Sequence, residues 1–186
     1  MNILTKIGKG FQILAYRLTH YSLGATLLWA LDHLVRRVTG APIRRVSQIS
    51  PQLHVGGQYK RRGWPELARR GVTAVVNMRA EFDDRAAGIA PPHYLHLPTA
   101  DDDAPSMEQL RHGVEFIAQE IAAGGGVYIH CGAGVGRAAT MAVAYLVSSG
   151  QTPEQAWATV RRVRPFVKPT PPQLAQIERF ALEPGR

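Results

Sequence analysis

The sequence predicts an α/β domain whose central, largely parallel sheet of four to five strands is flanked by helices, with an added N-terminal amphipathic helical segment. Two observations support this. Short β-branched runs, such as 72–78 and 127–130, alternate with helical patterns that begin at capping residues. The 186 residues suffice for one domain with a full core, and an apolar content of 45% is typical of a folded protein.

The N-terminal segment is predicted over residues 1–42 and the domain over 43–186, because Gly40-Ala41-Pro42 breaks the helical pattern between them. Seven of the 22 basic residues but one of the 14 acidic residues lie within residues 1–45. Only 14 uncharged residues separate Arg17 from Asp32, too few to span a bilayer. Three uses of the apolar face stay open: contact with an anionic membrane surface through residues 1–40, packing on the domain, and dimerisation.

Strands and helices are predicted in alternation along residues 43–186. Five segments have strand character: 45–50, 53–57, 72–78, 93–98 and 127–130. Helices are predicted at 64–70, at 106–123, from the glycine-rich stretch to about 149, and after the cap residues Thr152 and Thr170.

The single cysteine, Cys131, follows the predicted strand 127–130 and precedes a glycine-rich turn and a helix. Chemistry in parallel sheets is found at this carboxyl edge. Gly132, Gly134 and Gly136 permit a turn whose N–H groups point inward around an anion, and the helix N-terminus adds positive potential. Arg137 can bind two phosphate oxygens at once. The same surroundings favour a thiolate, so the loop is suited to attack on phosphorus.

Three other interpretations of this loop are weaker. An inert buried cysteine does not explain an arginine placed six residues later at a helix start. Residues 134–139 match the G-x-G-x-x-A pattern of dinucleotide-binding turns, but the position about 20 residues on is predicted to be helical rather than the end of a second strand. A Walker phosphate loop would need Gly-Lys-Ser or Gly-Lys-Thr, which is not present here.

The pattern His130-Cys131-x5-Arg137 resembles the signature of the cysteine-dependent protein tyrosine and dual-specificity phosphatases. The stretches ISPQLHVGGQ, GVTAVVNM, LPTADDDAPS and ATMAVAYLV resemble the small dual-specificity class, including its lipid-directed members, so the resemblance covers about residues 46–182. It implies hydrolysis of phosphomonoesters through a phosphocysteine intermediate, with no metal ion or other cofactor.

The resemblance also implies roles for individual residues. Cys131 would be the nucleophile, and His130 would orient the loop. The general acid would be an aspartate from the upstream cluster 101–103, where the position after LPT favours Asp101, with Asp102 next. The phosphate oxygens would be held by Arg137 and by the loop backbone at Gly132, Ala133, Gly134, Val135 and Gly136.

The sequence departs from the family pattern directly after the arginine, where the family usually has serine or threonine and this chain has Ala138. Thr140 comes two residues too late. One hydrogen bond to a charged group contributes about 1.5–3 kcal/mol, so we expect slower breakdown of the intermediate rather than loss of activity. A non-catalytic, phosphate-binding pseudophosphatase is the alternative from another functional class.

The loop of this chain has no lysine or arginine at Gly132, Ala133 or Val135, whereas lipid-directed relatives often do. This disfavours a polyphosphorylated inositol headgroup and leaves phosphotyrosine and phosphatidylglycerophosphate as candidate substrates. The expected partners are a phosphorylated protein or phospholipid and an anionic membrane surface, not a nucleic acid. The expected location is the cytoplasm, peripherally at a membrane. The basic cluster Arg161, Arg162 and Arg164 is predicted to be a solvated helix face, with a substrate-binding rim as the alternative.

Overall fold

The computed structural model describes residues 22–183 and confirms the predicted α/β class. Four parallel strands lie side by side in the order β1-β4-β2-β3. The strands are β1 (Leu53–Gly57), β2 (Val72–Arg79), β3 (His93–Thr99) and β4 (Gly126–Cys131). The helices are α1 (Leu23–Thr39), α2 (Trp64–Arg69), α3 (Met107–Ala122), α4 (Arg137–Ser148), α5 (Pro153–Val163) and α6 (Pro171–Ala181).

The strand predicted at 45–50 is wrong. Residues 44–46 form a single 3-10 turn, and Gln48 makes only one isolated antiparallel bridge to His54. The N–H and the hydroxyl of Ser47 both donate back to the carbonyl of Arg44, at 3.0 and 3.2 Å. Such local bonds compete with a sheet ladder, so the sheet has four strands rather than five.

The hydrophobic core lies on both faces of the sheet, and alternate side chains of β4 pack into it on opposite faces. Val127, Ile129 and Cys131 belong to the larger cluster, which is shared with α3, α4, α5 and α6. Tyr128 belongs to a smaller cluster on the opposite face. The period-two alternation of a strand therefore places the thiol on the side of the sheet that α4 covers.

Capping residues fix the starts of three helices around this core. The side chain of Ser106 accepts the N–H of Gln109 at 3.1 Å and begins α3, as the sequence predicts. Thr152 and Thr170 begin α5 and α6 with capping boxes of the same kind, each followed by proline in the first turn.

Helix α1 buries two charged residues and leaves its leucines exposed. Asp32 and Arg36 are 2% and 7% exposed and face the domain. We call the exposed apolar residues of α1 the leucine stripe: Leu23, Leu27, Leu28, Leu31, Leu34 and Val38. Predictions about residues 1–21 lie outside the described residues. Within residues 22–183, no helix combines the length and apolar character that crossing a bilayer requires.

The close approach of two glycines joins the end of α1 to the domain and gives a stability prediction. A Cβ at Gly63 would lie 2.2 Å from the carbonyl of Gly40, whereas a Cβ at Gly24 would meet no described atom within 4 Å beyond its chain neighbours and its own helix backbone. We expect Gly63→Ala to lower the free energy of unfolding by about 1–3 kcal/mol because the backbones must separate. Gly24→Ala should raise it by about 0.5 kcal/mol through helix propensity. Denaturant titration measures both, and equal effects would contradict the close approach.

Candidate active site

The loop from Gly132 to Gly136 connects β4 to α4 at the carboxyl edge of the sheet, where the sequence predicts it. Cys131 is 4% exposed, and its Sγ accepts the N–H of Gly134 at 3.3 Å. Gly134 has φ = 70°, a conformation that glycine adopts without strain. The thiol therefore lies at the floor of a tight turn directly before the N-terminus of α4.

Each carbonyl of the loop is hydrogen-bonded outside the turn. Their donors are the N–H of Gln58 and Nη1 of Arg36 for Gly132, Nη2 of Arg164 for Ala133, Nε of Arg164 for Gly134, the N–H of Lys168 for Val135, and the N–H and hydroxyl of Thr140 for Gly136. The N–H groups of Ala133, Val135 and Gly136 donate to no acceptor within residues 22–183. Outward carbonyls with free N–H groups form a nest for an anion.

Arg137 closes one side of this nest. It is 2% exposed, and its Nη1 and Nη2 bind the two carboxylate oxygens of Glu81 at 2.9 and 3.0 Å. Nη1 also donates to the carbonyl of Thr99 at 2.7 Å, and Nη2 lies 2.7 Å from Oδ1 of Asp101. Nε is buried and has no partner in the described part of the chain. The protein thus orients the guanidinium and leaves one donor for a ligand.

Glu81 is a site residue that the sequence analysis missed. It follows the carboxyl end of β2, which is the neighbour of β4 in the sheet. The hydrogen bond from Arg137 lowers the pKa of Glu81 to about 2, although burial acts in the opposite direction. Burial opposes the charge of Arg137, but the hydrogen bond to Glu81 and nearby negative charges raise the pKa of Arg137. The pair therefore stays ionised at neutral pH.

The general acid is predicted to be one of the three aspartates 101–103, and these three residues occupy different positions. The carboxylate of Asp101 faces the guanidinium described above and is 78% exposed. The carbonyl of Asp102 accepts the hydroxyl of Thr170 at 2.9 Å, and the carbonyl of Asp103 accepts Nε2 of Gln173 at 2.8 Å. Residues at the start of α6 therefore anchor the acidic loop through its backbone, with Asp101 as the member whose side chain reaches the site.

His130 is fixed from the face of the sheet opposite to the thiol. Its Nε2 lies 2.7 Å from Oδ2 of Asp84, and both side chains are fully buried. Oδ1 of Asp84 accepts Nε2 of Gln58 at 2.8 Å. The ring of His130 stacks on Tyr128 and meets the edge of Tyr59. Asp84 was also missed by the sequence analysis, because nothing local to it indicates a buried histidine partner.

The structure also bears on the predictions about Ala138 and about the basic cluster 161–164. The hydroxyl of Thr140 donates to the carbonyl of Gly136 at 3.1 Å, while the side chain of Ala138 is fully buried. The prediction that Arg164 belongs to a solvated face is wrong, because its side chain is fully buried against the loop carbonyls. Arg161 and Arg162 are exposed, as predicted. Among residues 22–183, no group of three or more His, Cys, Asp or Glu side chains is arranged to hold a metal ion.

Comparison with known families identifies the family to which the chain belongs. A family described as "Polymorphic toxin system, DSP-PTPase phosphatase" matches residues 55–151, more than half of the chain. The chain belongs to the dual-specificity phosphatase-like members of the cysteine-based protein tyrosine phosphatase superfamily. This confirms the resemblance found in the sequence.

Relatives of this dual-specificity phosphatase-like chain include proteins named for lipid and for protein substrates. It is 31% identical over 181 residues to the phosphatidylglycerophosphate phosphatase PTPMT2 of Arabidopsis thaliana, covering 94% of this chain and 75% of that protein. It is 32% identical over 140 residues to protein phosphatase Slingshot homolog 3 of Rattus norvegicus, covering 73% of this chain but only 21% of that protein. The match to the phosphatidylglycerophosphate phosphatase PTPMT1 of Arabidopsis thaliana spans only 32% of the length of that protein.

The fold also matches solved structures. A crystal structure of Tk-PTP in its active form superposes with a TM-score of 0.66 at 30% identity, covering 74% of this chain and 96% of Tk-PTP. The match supports the central sheet and its helices as a dual-specificity phosphatase fold.

Two glycines of the loop provide a matched test of its geometry. A Cβ at Gly134 would lie 2.2 Å from the carbonyl carbon of Gly56, whereas a Cβ at Gly132 would meet only Nη2 of Arg137 at 3.8 Å. We expect Gly134→Ala to weaken orthovanadate binding at least about tenfold, because overpacking by roughly 1–3 kcal/mol opens the turn. Gly132→Ala should stay within about threefold of the parent. Isothermal titration calorimetry measures both affinities, and equal losses would contradict the described turn.

Proposed function

We propose that this chain is a cysteine-dependent phosphatase that hydrolyses phosphomonoesters through a phosphocysteine intermediate. One observation carries the proposal: within residues 22–183 the N–H groups of Ala133, Val135 and Gly136 and the Nε of Arg137 have no acceptor, and we infer that they form a ring of donors above the Cys131 thiol. Donors fixed around a central position stabilise the charge that develops on transferring phosphoryl oxygens. Such a ring supports catalysis more strongly than it supports simple phosphate binding, because it directs the phosphorus toward a nucleophile.

The reaction takes place in two steps. The Sγ thiolate of Cys131 attacks phosphorus, the bond to the leaving oxygen breaks, and Asp101 donates a proton to that oxygen. Asp101, now ionised, then takes a proton from water as the water oxygen attacks the phosphocysteine. Inorganic phosphate leaves and the thiolate is regenerated. The position of the Asp101 carboxylate beside Arg137, at the exposed side of the pocket, supports this role.

The residues around the loop act by positioning. Glu81 holds one edge of the Arg137 guanidinium, so that the Nε side faces the phosphate. The buried pair His130–Asp84 holds the end of β4 beneath the thiol. Ala138 offers no hydroxyl to the departing sulfur, and the hydroxyl of Thr140 is already bonded to the loop backbone, so we expect slow release of the intermediate.

Removal of the thiol tests the proposed nucleophile. Hydrolysis of p-nitrophenyl phosphate should persist in chelator, be inhibited by orthovanadate, and fall at least about 10³-fold in Cys131→Ser, because a neutral hydroxyl is a far weaker nucleophile than a thiolate. Steady-state kinetics measures the loss, and circular dichroism controls for folding. Undiminished hydrolysis by folded Cys131→Ser would remove the assignment.

Substitution of the aspartates tests the acid. Asp101→Asn should lower turnover by about 10²-fold on an alkyl phosphate and less on p-nitrophenyl phosphate, whose leaving group needs little protonation. The dependence of kcat on pH between acidic and neutral values should flatten. Asp103→Asn is the matched control, because that residue contacts α6 through its backbone. If Asp103→Asn rather than Asp101→Asn changes the profile, the acid is assigned to the wrong aspartate.

The second candidate function is hydrolysis of a phospholipid at a membrane, as an alternative to hydrolysis of a phosphoprotein. The surface of α1 favours the phospholipid. The leucine stripe is exposed over the length of the helix, with Leu27, Leu31 and Leu34 between 50% and 60% exposed. Exposed basic residues from the segment after β1 lie at its C-terminal end: Lys60, Arg61 and Arg62. Exposed leucines beside cationic side chains fit an anionic bilayer interface. The similarity to PTPMT2 extends through this helix and agrees with a lipid phosphomonoester.

Point substitutions test membrane binding without removing the buried side of α1. The triple variant Leu27→Ser, Leu31→Ser, Leu34→Ser should bind phosphatidylglycerol vesicles at least about tenfold more weakly, since each leucine contributes roughly 1.5–3 kcal/mol when buried. Vesicle sedimentation measures binding. Leu182→Ser is the control, because Leu182 is an exposed leucine outside α1. Hydrolysis of p-nitrophenyl phosphate should change less than about twofold in both. Unchanged binding by the triple variant would reject the membrane surface.

A further inference from the structure

Two buried arginines from outside the loop hold the carbonyls of its first three residues. Arg36 of α1 donates from Nη1 to the carbonyl of Gly132 at 3.2 Å. Arg164, just after α5, donates from Nη2 to Ala133 at 2.9 Å and from Nε to Gly134 at 2.6 Å. The arginines approach from the side of the loop away from the pocket. No motif in the sequence indicates either contact.

Helix α1 also supplies the counter-charge for Arg164. Oδ2 of Asp32 lies 3.3 Å from Nη2 of Arg164, and Oδ1 of Asp32 accepts the N–H of Ile43 at 3.0 Å. Nη1 of Arg164 donates to the carbonyl of Val46 at 2.7 Å. Burial lowers the pKa of Arg164, and the charge of Asp32 opposes this effect. A buried arginine without such a partner would be unfavourable, so Asp32 stabilises Arg164 under the loop.

Arg36 is held tightly on the same helix. Its Nη1 also donates to the carbonyl of Gln58 at 3.1 Å, and its Nη2 lies 3.0 Å from Nδ1 of His33. Gly57 packs directly against the guanidinium, so that a Cβ at Gly57 would lie 2.5 Å from Cζ of Arg36. Arg37, the next residue, is exposed. The helix therefore carries one inward and one outward arginine at adjacent positions.

The planarity of the peptide bond makes these contacts relevant to the pocket. The C=O of one residue and the N–H of the next point in opposite directions in a trans peptide. A donor that holds the carbonyl of Gly132 outward therefore holds the N–H of Ala133 inward. In the same way, the bond from Arg164 to the carbonyl of Ala133 holds the N–H of Gly134 inward, where it reaches Sγ of Cys131. The bond from Arg164 to the carbonyl of Gly134 holds the N–H of Val135 inward. A released peptide could turn its oxygen toward the phosphate and repel it.

We propose that Asp32 and Arg36 of α1 are positioning residues of the phosphate-binding loop. Arg36 acts on the loop peptide groups directly, and Asp32 acts on them through Arg164. This inference rests on the proposed phosphatase function and deepens it. The domain boundary predicted at residue 42 then lies within one functional unit, because helix α1, which precedes this boundary, helps to shape the site. Deletion of residues 1–40 is expected to impair hydrolysis of soluble substrates as well as any membrane binding.

The adjacent arginines give a matched experiment. We expect Arg36→Met to lower kcat/KM for p-nitrophenyl phosphate at least about tenfold and to weaken orthovanadate binding, measured by calorimetry, by a similar factor. Arg37→Met, the same substitution on the outward face, should stay within about twofold in both measurements. Asp32→Asn keeps the acceptor for Ile43 but loses the charge, and it should show an intermediate loss. Orthovanadate affinity per folded molecule separates positioning from stability, because a purely structural role lowers only the folded fraction.

A second route displaces the arginine without removing it. Gly57→Ala should push the Arg36 guanidinium away, because its flexible end is the nearest group, and should reproduce the loss in Arg36→Met. Folded variants that keep parental vanadate affinity and kcat/KM would overturn the inference, and so would variants that all fail to fold. If the parent itself shows no hydrolysis that depends on Cys131 while Arg36→Met still loses vanadate affinity, the proposed function fails and the positioning role stands.

Discussion

The orientation of five consecutive peptide groups is the constraint on which the structure of this site depends. Their carbonyls all point away from the pocket, and each needs a donor, because a buried carbonyl without a partner is costly. Those donors come from the residue that follows β1, from α1, from α4 and from the segment between α5 and α6. The inward N–H groups are therefore the product of a large part of the domain rather than of the loop sequence alone.

The buried cations of the site are paired with carboxylates from distant parts of the chain. Arg137 contacts Glu81 and Asp101, and Arg164 contacts Asp32. Each pairing offsets the cost of removing a charge from water and fixes a planar group in one orientation. The two arginines serve different ends: Arg137 keeps one donor, Nε, without a partner among residues 22–183, whereas Arg164 donates to three backbone carbonyls and to Asp32.

The contacts of helix α1 explain how a basic, leucine-rich segment can belong to the proposed active site. An ordinary surface helix buries its apolar side and exposes its polar side. Here charged residues face inward, because Arg36 contacts the loop 132–136 and Asp32 contacts Arg164 behind it, and the leucine stripe is left exposed. A surface that docks on a lipid bilayer would then be one helix diameter, about 10 Å, from the backbone that shapes the proposed catalytic loop.

The sequence by itself determined the features that depend on near neighbours in the chain. Helix caps at Ser106, Thr152 and Thr170, the order strand, turn, helix around Cys131, and the spacing to Arg137 are all local, and the sequence predicts them correctly. Even there, the segment 45–50 was wrongly predicted as a strand, because β-branched composition does not reveal that serine side chains will close a turn.

Tertiary structure alone decided which distant groups meet. Glu81 and Asp84 reach the site because β2 lies beside β4, and strand order is not encoded in any local pattern. Asp32 and Arg164 are 132 residues apart and meet only when α1 packs against the end of α5. The same packing decided that the apolar stripe of α1 faces outward, since periodicity shows that a helix has two faces but not which of them finds a partner.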